Sequence, residues 1–506
     1  MIFAFAVEVS VSGAKIKKVV ILGGGTAGWM TAALLAKVLG KAISITLVES
    51  DRIGTVGVGE ATIPPIVNFN QALGLDEREF LRATKGTIKL GIQFENWLRQ
   101  GESYMHAFGS VGKKFPFCDF HHFWCRHRHA GGTSSYWDYS LNYQAAVHNR
   151  FAPLAQIKGT NLPGISYAYH FDAGLYAQFL RRFAENKGVH RIEGTVSGVQ
   201  LCPRDGFVES LSLEGGQRIA AGLFVDCTGL AALLIEKTLG IDLESWSQWL
   251  PCDRAMAVPS AGSRPPIPYT RSIARAAGWQ WRIPLQHRSG NGIVYSSDHW
   301  SDAQAREALM DSLDGEALAE PRIIPFRTGR RRNQWDRNVV SIGLSSGFLE
   351  PLESTSIHLI QSAATRLIKS FPHRGIRPAE VAEFNRQSQV EMERIRDFII
   401  LHYKLNQRRD TDFWRQCEAM EIPSTLADKI ELFRHTGKVF RDYDDLFTEE
   451  AWQQVMLGQG IVPEDYHPIA DTLSERQLDE LMASLKTLID GTVKSLPAHE
   501  EYLPFC

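Results

Sequence analysis

The sequence of 506 residues has no apolar run near the length of about 18 that a membrane-spanning helix requires. No membrane partner is expected from it. Charge of one sign is also missing: 55 Lys and Arg stand against 57 Asp and Glu, a net charge of −2. That balance offers no electrostatic footprint for nucleic acid. The one dense basic cluster, Arg327 to Arg332, reads as a local surface or anion contact. Cysteine is sparse, odd in number and scattered, at 118, 125, 202, 227, 252, 417 and 506. This fits a reducing cytoplasm better than a disulfide framework. The opening MIFAFAVEVS lacks a basic flank and a long apolar region, so it is not read as a signal peptide and a cytoplasmic location is expected. Internal repeats and low-complexity linkers are absent. Hydrophobic content of 44% is ordinary for a globular chain, and the length supports a large core in two or more modules.

Residues 18 to 49 read as a βαβ unit. Val19-Val20-Ile21-Leu22 forms a short, fully apolar strand, Ala27 to Leu39 a helix, and Ile43 to Val48 a second strand. Continuous apolar strands suit a parallel sheet covered on both faces. Further strands are expected at Ala221 to Asp226 and Val339 to Gly343. Between the first strand and its helix lies GGGTAG. Gly23 permits the tight turn, Gly25 lets the backbone approach a pyrophosphate, and Gly28 allows close helix–strand packing. The helix N-terminus, opening at Thr26 and Ala27, offers N–H groups and a positive dipole end to phosphate. Glu49 ends the second strand 21 residues after Gly28, where an acid can accept from ribose hydroxyls. Strand, turn, helix and acid stand in the order of a dinucleotide site.

Three further stretches carry chemistry. GWQWRIP places Trp279 and Trp281 two apart, hence on one face of a strand. PLESTSIHLIQ sets Glu353 and the hydroxyls of Ser354, Thr355 and Ser356 before Ile357, Ile360, Ala364, Leu367, Ile368 and Phe371, which recur at helical spacing until Pro372. Read alone, those hydroxyls cap the first turn. CDFHHFWCRHRH packs two Cys and four His into twelve residues, but lacks a second ligand pair at finger-like distance. No metal is expected; imidazole and aromatic packing is.

Together, the glycine loop, LFVDCTGL, VVSIGLSSGFLEP, W-x-W-x-I-P and PLEST resemble the flavin-dependent tryptophan halogenases. The resemblance spans roughly residues 17 to 465 and includes VGVGEATIP, YHFDAGLYAQFL and PYTRSIARAAGWQW. It implies an α/β fold: an FAD-binding, Rossmann-like module of glutathione-reductase type over about 16–375. Substrate-side insertions fall near 100–165 and 245–320, and a mainly helical region, 376–506, covers the substrate. It implies FAD, used as FADH2 from a separate NAD(P)H-dependent flavin reductase, with a halide ion as cosubstrate. Cofactor contacts fall on Gly23, Gly25, Thr26, Ala27, Gly28, Glu49, Ala61, Val196, Gly343, Leu344 and Ile357. In the family, hypohalous acid passes through a tunnel to a lysine beside the arene. GTIKLGIQFENW places Lys89 eight residues before Trp97, as that pattern requires. Glu353 matches the carboxylate that stabilises the cationic ring intermediate and takes its proton. Ser354, Thr355 and Ser356 fall at the halide cradle, His106 and Phe108 of HAFG and Trp452 at the substrate ring, and Trp279 and Trp281 between substrate and flavin.

Three departures narrow this. Leu344 follows Gly343 where flavin hydroxylases carry an Asp. Ser356 replaces the usual glycine of ESTG, as in a branch acting on free indole and often favouring bromide. YDDLFTEEAWQQVMLGQG is short and acidic where tryptophan halogenases carry tyrosines that hold the amino acid's carboxylate. The expected substrate is therefore an indole, another electron-rich arene, or a larger indole-bearing molecule. A homodimer stays open. The competing readings are a single-component flavin hydroxylase and a flavoprotein-fold binding module without turnover.

Overall fold

The computed structural model describes residues 15–53, 59–262 and 265–504. Val19 to Leu22 are buried because their strand, Lys18–Leu22, runs between two parallel neighbours, Ser44–Glu49 and Leu223–Asp226. His190–Glu193 extends this sheet beyond Ser44–Glu49, and Val339–Ser341 beyond Leu223–Asp226, both parallel. A short antiparallel strand, Trp335–Asp336, closes one edge. The helix Thr26–Leu39 links the first two strands, and its Trp29 to Ala36 are all buried. This is the Rossmann-like layer expected from the sequence, with two shorter strands. The third begins at Leu223, and the strand at Val339 stops at Ser341, because Gly343, at φ +78°, opens a 3-10 turn.

A second sheet has seven strands, in the order Arg322–Pro325, Arg254–Ser260, Ser289–Tyr295, Gly278–Pro284, Thr270–Arg275, Gly91–Glu95, Ser103–Ala107. Every pairing is antiparallel except Thr270–Arg275 with Gly91–Glu95. A three-stranded sheet, Gly59–Ala61, Ala168–Asp172 and Thr87–Lys89, adjoins it. Only Leu90 separates Lys89, the last residue of one sheet, from Gly91, the first of the other.

After Glu353 the chain is helical: Ser356–Lys369, the 27-residue Pro378–Lys404, Asp412–Ala419, Ser424–Thr436, Glu449–Gly458 and Glu475–Ser495. Ile357, Ile360, Ala364 and Leu367 form the buried face foreseen for the first of these, which stops at Lys369, two residues short of Phe371. Ile92, Phe94, Trp97, Trp279, Trp281, Met392, Ile395, Phe398, Ile399 and Trp452 share one apolar cluster, so the seven-stranded sheet packs on the later helices.

Two local expectations change. No side chain caps the helix Ser356–Lys369: Thr355, at its N-cap, makes no capping bond and its Oγ1 has no hydrogen-bond partner. The basic cluster is only partly a surface feature: Arg327 and Arg332 are exposed, and the other two arginines are not. Arg330 and Arg331 are buried, paired with Glu244 at 2.8 Å and Glu236 at 2.5 Å. The six described cysteines are free and buried, and Cys506 lies outside the described residues. Among the described residues no three His, Cys, Asp or Glu side chains converge on a metal position, and no helix is long and apolar enough to cross a membrane.

Candidate active site

Each glycine of the first loop meets a different demand. A Cβ on Gly23, at φ +111°, would lie 2.2 Å from the Cys227 carbonyl oxygen, and one on Gly28 would lie 1.8 Å from the Gly23 oxygen. Gly25 has nothing within 4 Å of that position, which leaves its backbone open to a ligand. Thr26 begins the helix with no capping side chain and no acid in the first turn, so its N–H groups are free to meet phosphate. Glu49 reaches over this loop: a Cβ on Gly24 would fall 1.4 Å from its Oε2. Its Oε1 accepts from Arg191 Nε at 2.5 Å, a partner that the sequence pattern gave no means of finding.

Of the remaining expected cofactor residues, Gly343, Leu344 and Ile357 lie by this layer, whereas Val196 and Ala61 begin and end strands of two other sheets. Gly343 packs against the helix start, since a Cβ there would sit 2.8 Å from Ala27 Cβ. Leu344 lines a cavity of about 210 Å³ with Arg331 and Phe348. Ile357 is buried in the first turn of its helix. Val196 begins a strand two residues after Gly194, whose N–H donates to Glu49 O at 2.8 Å. Ala61 is the last residue of its strand, and the following Thr62 turns its carbonyl to Lys89. Of VGVGEATIP, Val56 to Val58 lie outside the described residues. The open Gly25, the uncapped helix and the free Thr355 hydroxyl fit a dinucleotide with an anion beside it.

Lys89 is wholly buried. Its Nζ donates to Thr62 O at 2.9 Å and Ser354 Oγ at 2.7 Å, and stands 5.2 Å from the centre of the Phe108 ring. Burial lowers its pKa to about 7, although Glu353 opposes the shift. Ser354 meets the ammonium from a left-handed backbone, φ +58° and ψ 36°, unusual for a residue other than glycine. That turn is what separates the 3-10 segment Pro351–Glu353 from the following helix.

Glu353 is also fully buried and is held at both oxygens. His106 Nδ1 lies 2.8 Å from Oε2, and His402 Nε2 lies 2.8 Å from Oε1. Burial by itself raises the carboxyl pKa; the charges and N–H groups of His106 and His402 outweigh it and bring the value to about 2. A hydrogen on each of those nitrogens leaves His402 Nδ1 to accept from the Tyr104 hydroxyl, 2.7 Å away. Burial pushes the His402 pKa down. In the sequence His402 follows Met392, Ile395, Phe398 and Ile399 at helical spacing. Nothing in that spacing marks it as a partner for Glu353, 49 residues earlier.

The expected substrate residues do meet. His106 packs edge-on to Phe108 at 6.3 Å and to Phe398 at 5.6 Å, and Phe398 meets Trp452 edge-on at 4.7 Å. Phe447, which the sequence reading did not single out, stacks on Phe398 at 3.8 Å. Trp452 Nε1 is buried without a partner, while Lys429 Nζ stands 4.3 Å from the centre of its ring. Trp279 and Trp281 do share a face of Gly278–Pro284, with ring centres 6.1 Å apart. Gly292 on the next strand makes room, since a Cβ there would lie 2.0 Å from the Trp281 ring. Ser356, half-buried, is the first residue of its helix.

Comparisons with known proteins agree with this architecture. The family model for tryptophan halogenase matches residues 18–475. The tryptophan 6-halogenase SttH of Streptomyces toxytricini is 36% identical, covering 96% of this chain and 97% of that protein. Among solved structures, Xcc4156, a flavin-dependent halogenase from Xanthomonas campestris, superposes with a TM-score of 0.93 at 49% identity, over 97% of this chain and 98% of that one. BrvH, a flavin-dependent halogenase from Brevundimonas sp. BAL3, gives 0.93 at 46% identity, over 97% and 99%. The chain belongs to the tryptophan halogenase family, and is accordingly a flavin-dependent halogenase that takes its flavin as FADH2 together with a halide ion.

Proposed function

We propose that this enzyme halogenates free indole or a related neutral, electron-rich arene, with Lys89 and Glu353 as its catalytic residues. Gly23, Gly25, Thr26, Ala27, Gly28 and Glu49 would hold the dinucleotide part of FAD. Ala61, Val196, Gly343, Leu344 and Ile357 would complete its site. Bound FADH2 supplies the electrons with which O2 converts halide to hypohalous acid and water. A flavin reductase supplies FADH2, because one dinucleotide loop stands in the chain.

The observation that carries the mechanism is the buried pair of an ammonium and a carboxylate on neighbouring elements, Lys89 and Glu353. Two of the Lys89 ammonium hydrogens are fixed by Thr62 O and Ser354 Oγ, which aims the third. That N–H would hold hypohalous acid by its oxygen against one ring carbon. As the carbon–halogen bond forms, the halogen–oxygen bond breaks, and the leaving hydroxide takes a proton from Lys89 and departs as water. Glu353, kept ionised by His106 and His402, lies where a carboxylate steadies the ring cation and removes its proton. Ser354, Thr355 and Ser356 would cradle the halide at the uncapped helix start, and the free Thr355 hydroxyl supports this. Trp279 and Trp281 would keep substrate and flavin apart. His106, Phe108 and Trp452 would bracket the arene.

A neutral substrate is favoured by the segment 443–460, which is acidic and holds a single tyrosine. Asp119 accepts from Gln453 at 3.4 Å, and burial together with the charges of Glu450 and Glu449 raises its pKa. Tyr443, in the segment where a carboxylate-holding tyrosine is sought, is 99% exposed. The division into a flavin module to about residue 375 and a helical covering region, the cytoplasmic location and a bromide preference belong to the same proposal. Incubation with a flavin reductase, FAD, NADH and a panel of indole, substituted indoles and tryptophan, in chloride or bromide, tests it by mass spectrometry. Halogenated indoles exceeding halogenated tryptophan, with more product in bromide, are expected. Hydroxylated products alone would refute the assignment.

A further inference from the structure

Glu350, three residues before Glu353, is a second fully buried carboxyl to which no role has fallen so far. Its Oε2 accepts from Trp279 Nε1 at 2.8 Å and from the Tyr403 hydroxyl at 2.6 Å. Its Oε1 has no partner, and among the described residues no Lys, Arg or His forms an ion pair with it. Burial raises its pKa to about 7, against the lowering effect of the Tyr403 and Trp279 bonds. The sulfur of Cys252 stands 3.7 Å from the Tyr403 oxygen. An unpaired buried carboxyl with one unsatisfied oxygen costs stability, and an apolar side chain of its size would pack at lower cost. What Glu350 contributes is therefore geometric.

The geometry joins three segments. Glu350 precedes the turn Pro351–Glu353 and Glu353 ends it, and adjacent residues of the helix Pro378–Lys404 hold them: Tyr403 bonds Glu350 and His402 bonds Glu353. Trp97 is wedged beside both, 5.9 Å from His402, 5.3 Å from Tyr403 and 6.4 Å from Trp279 between ring centres. The Trp97 indole N–H is itself fixed on Ser272 O at 3.2 Å. The Trp279 ring can thus turn only by breaking its bond to the same short turn that presents Glu353.

We propose that Glu350 is a positioning residue for Trp279: it holds the indole in the one orientation that keeps arene and flavin apart and lets hypohalous acid reach Lys89. Glu350 touches neither substrate nor flavin and acts through Trp279. The functional half of this inference rests on the halogenase mechanism proposed above; the positioning half does not.

The test uses the full chain labelled with 15N at the tryptophan indoles, with Trp279→Phe assigning the resonance. Glu350→Leu removes the acceptor, whereas Glu350→Gln keeps a carbonyl for both donors. Should Glu350→Leu fail to fold, Glu350→Met replaces it. The Trp279 N–H signal should shift and exchange faster in the leucine variant and stay near its wild-type position in the glutamine variant. In turnover, halogenated product per FADH2 oxidised should fall at least threefold in Glu350→Leu, with hydrogen peroxide making up the difference. The glutamine variant should recover most of that yield. Trp279→Phe should lower the yield similarly, and the double variant should be no worse than Trp279→Phe alone. An unmoved Trp279 resonance in Glu350→Leu would overturn the positioning role. A moved resonance with unchanged yield, or losses that add in the double variant, would overturn its link to delivery. A wild-type enzyme that halogenates no arene would instead strike the proposed function, and the resonance comparison would still decide whether Glu350 orients Trp279.

Discussion

Lys89 offers a prediction whose size follows from its surroundings. No part of the side chain meets solvent, and the charge of Glu353 opposes the fall that burial causes in its pKa. A fall from 10.5 to about 7 corresponds to roughly 5 kcal/mol disfavouring the charged form. If the ammonium is the form that gives a proton to the departing hydroxide, turnover must decline as pH rises through about 7. With one titrating group, about nine-tenths of the enzyme is competent one pH unit below that point and about one-tenth one unit above. The rate should therefore drop about tenfold between pH 6 and pH 8. Photochemically reduced FAD in saturating halide keeps a reductase's own pH dependence out of the measurement, and product is counted per active site. A flat profile, or a rate rising with pH because the neutral amine captures halogen, would refute the reasoning. Stability gives an independent arm with its own sign. Unfolded Lys89 holds its proton to about 10.5 and folded Lys89 to about 7, so between those values the folded state binds fewer protons. This group then adds up to about 1.4 kcal/mol of stability per pH unit as pH rises. Lys89→Met lacks this pH dependence, so the wild type should gain about 2 kcal/mol of stability relative to it from pH 7 to pH 9.

Glu353→Gln leaves one of the two imidazole N–H groups facing an amide NH2 in place of a carboxylate oxygen. It should cost about 1–3 kcal/mol in urea denaturation and slow turnover by about 10²-fold or more; an enzyme of normal rate would remove Glu353 from the chemistry. Gly25→Val enters open space at φ −74°, so its melting temperature should hold while FAD affinity falls at least about tenfold by fluorescence titration. Gly28→Ala, which drives a methyl into Gly23 O, should destabilise the fold itself, and equal effects of the two substitutions would contradict the assigned roles. Thr355→Val deletes a buried hydroxyl without a partner, so it should leave stability unchanged or raise it by about 1 kcal/mol. The same substitution should raise the halide KM, and an unaltered KM would place the halide elsewhere.

The sequence made the local features legible and left the distant partners hidden. The glycine loop could be read because its demands are met within one βαβ unit: a tight turn, an open approach and a close crossing fall at fixed spacing. Trp279 and Trp281 share a face because alternate strand residues always do. Lys89 was found through resemblance; its burial reflects its place between two sheets, which its apolar neighbours Ile88 and Leu90 only hint at. The partners of Glu353, by contrast, come from a strand 247 residues earlier and a helix 49 residues later, and no local period records such meetings. Arg191 beside Glu49 was hidden for the same reason. The hydroxyls of PLESTS invited a capping assignment because Ser and Thr usually cap. Here Ser354 turns to Lys89 and Thr355 stays unbonded, so the helix start is left open.

The central claim is that halogen reaches the arene only by way of the buried Lys89 ammonium. Lys89→Ala, supplied with FADH2, bromide and indole, tests it most directly when bromoindole is measured by mass spectrometry beside FAD binding by fluorescence. The account predicts no bromoindole above the level formed without enzyme, FAD affinity within about twofold of wild type, and hydrogen peroxide in place of product. Bromoindole formed at the wild-type rate by the alanine variant would contradict it.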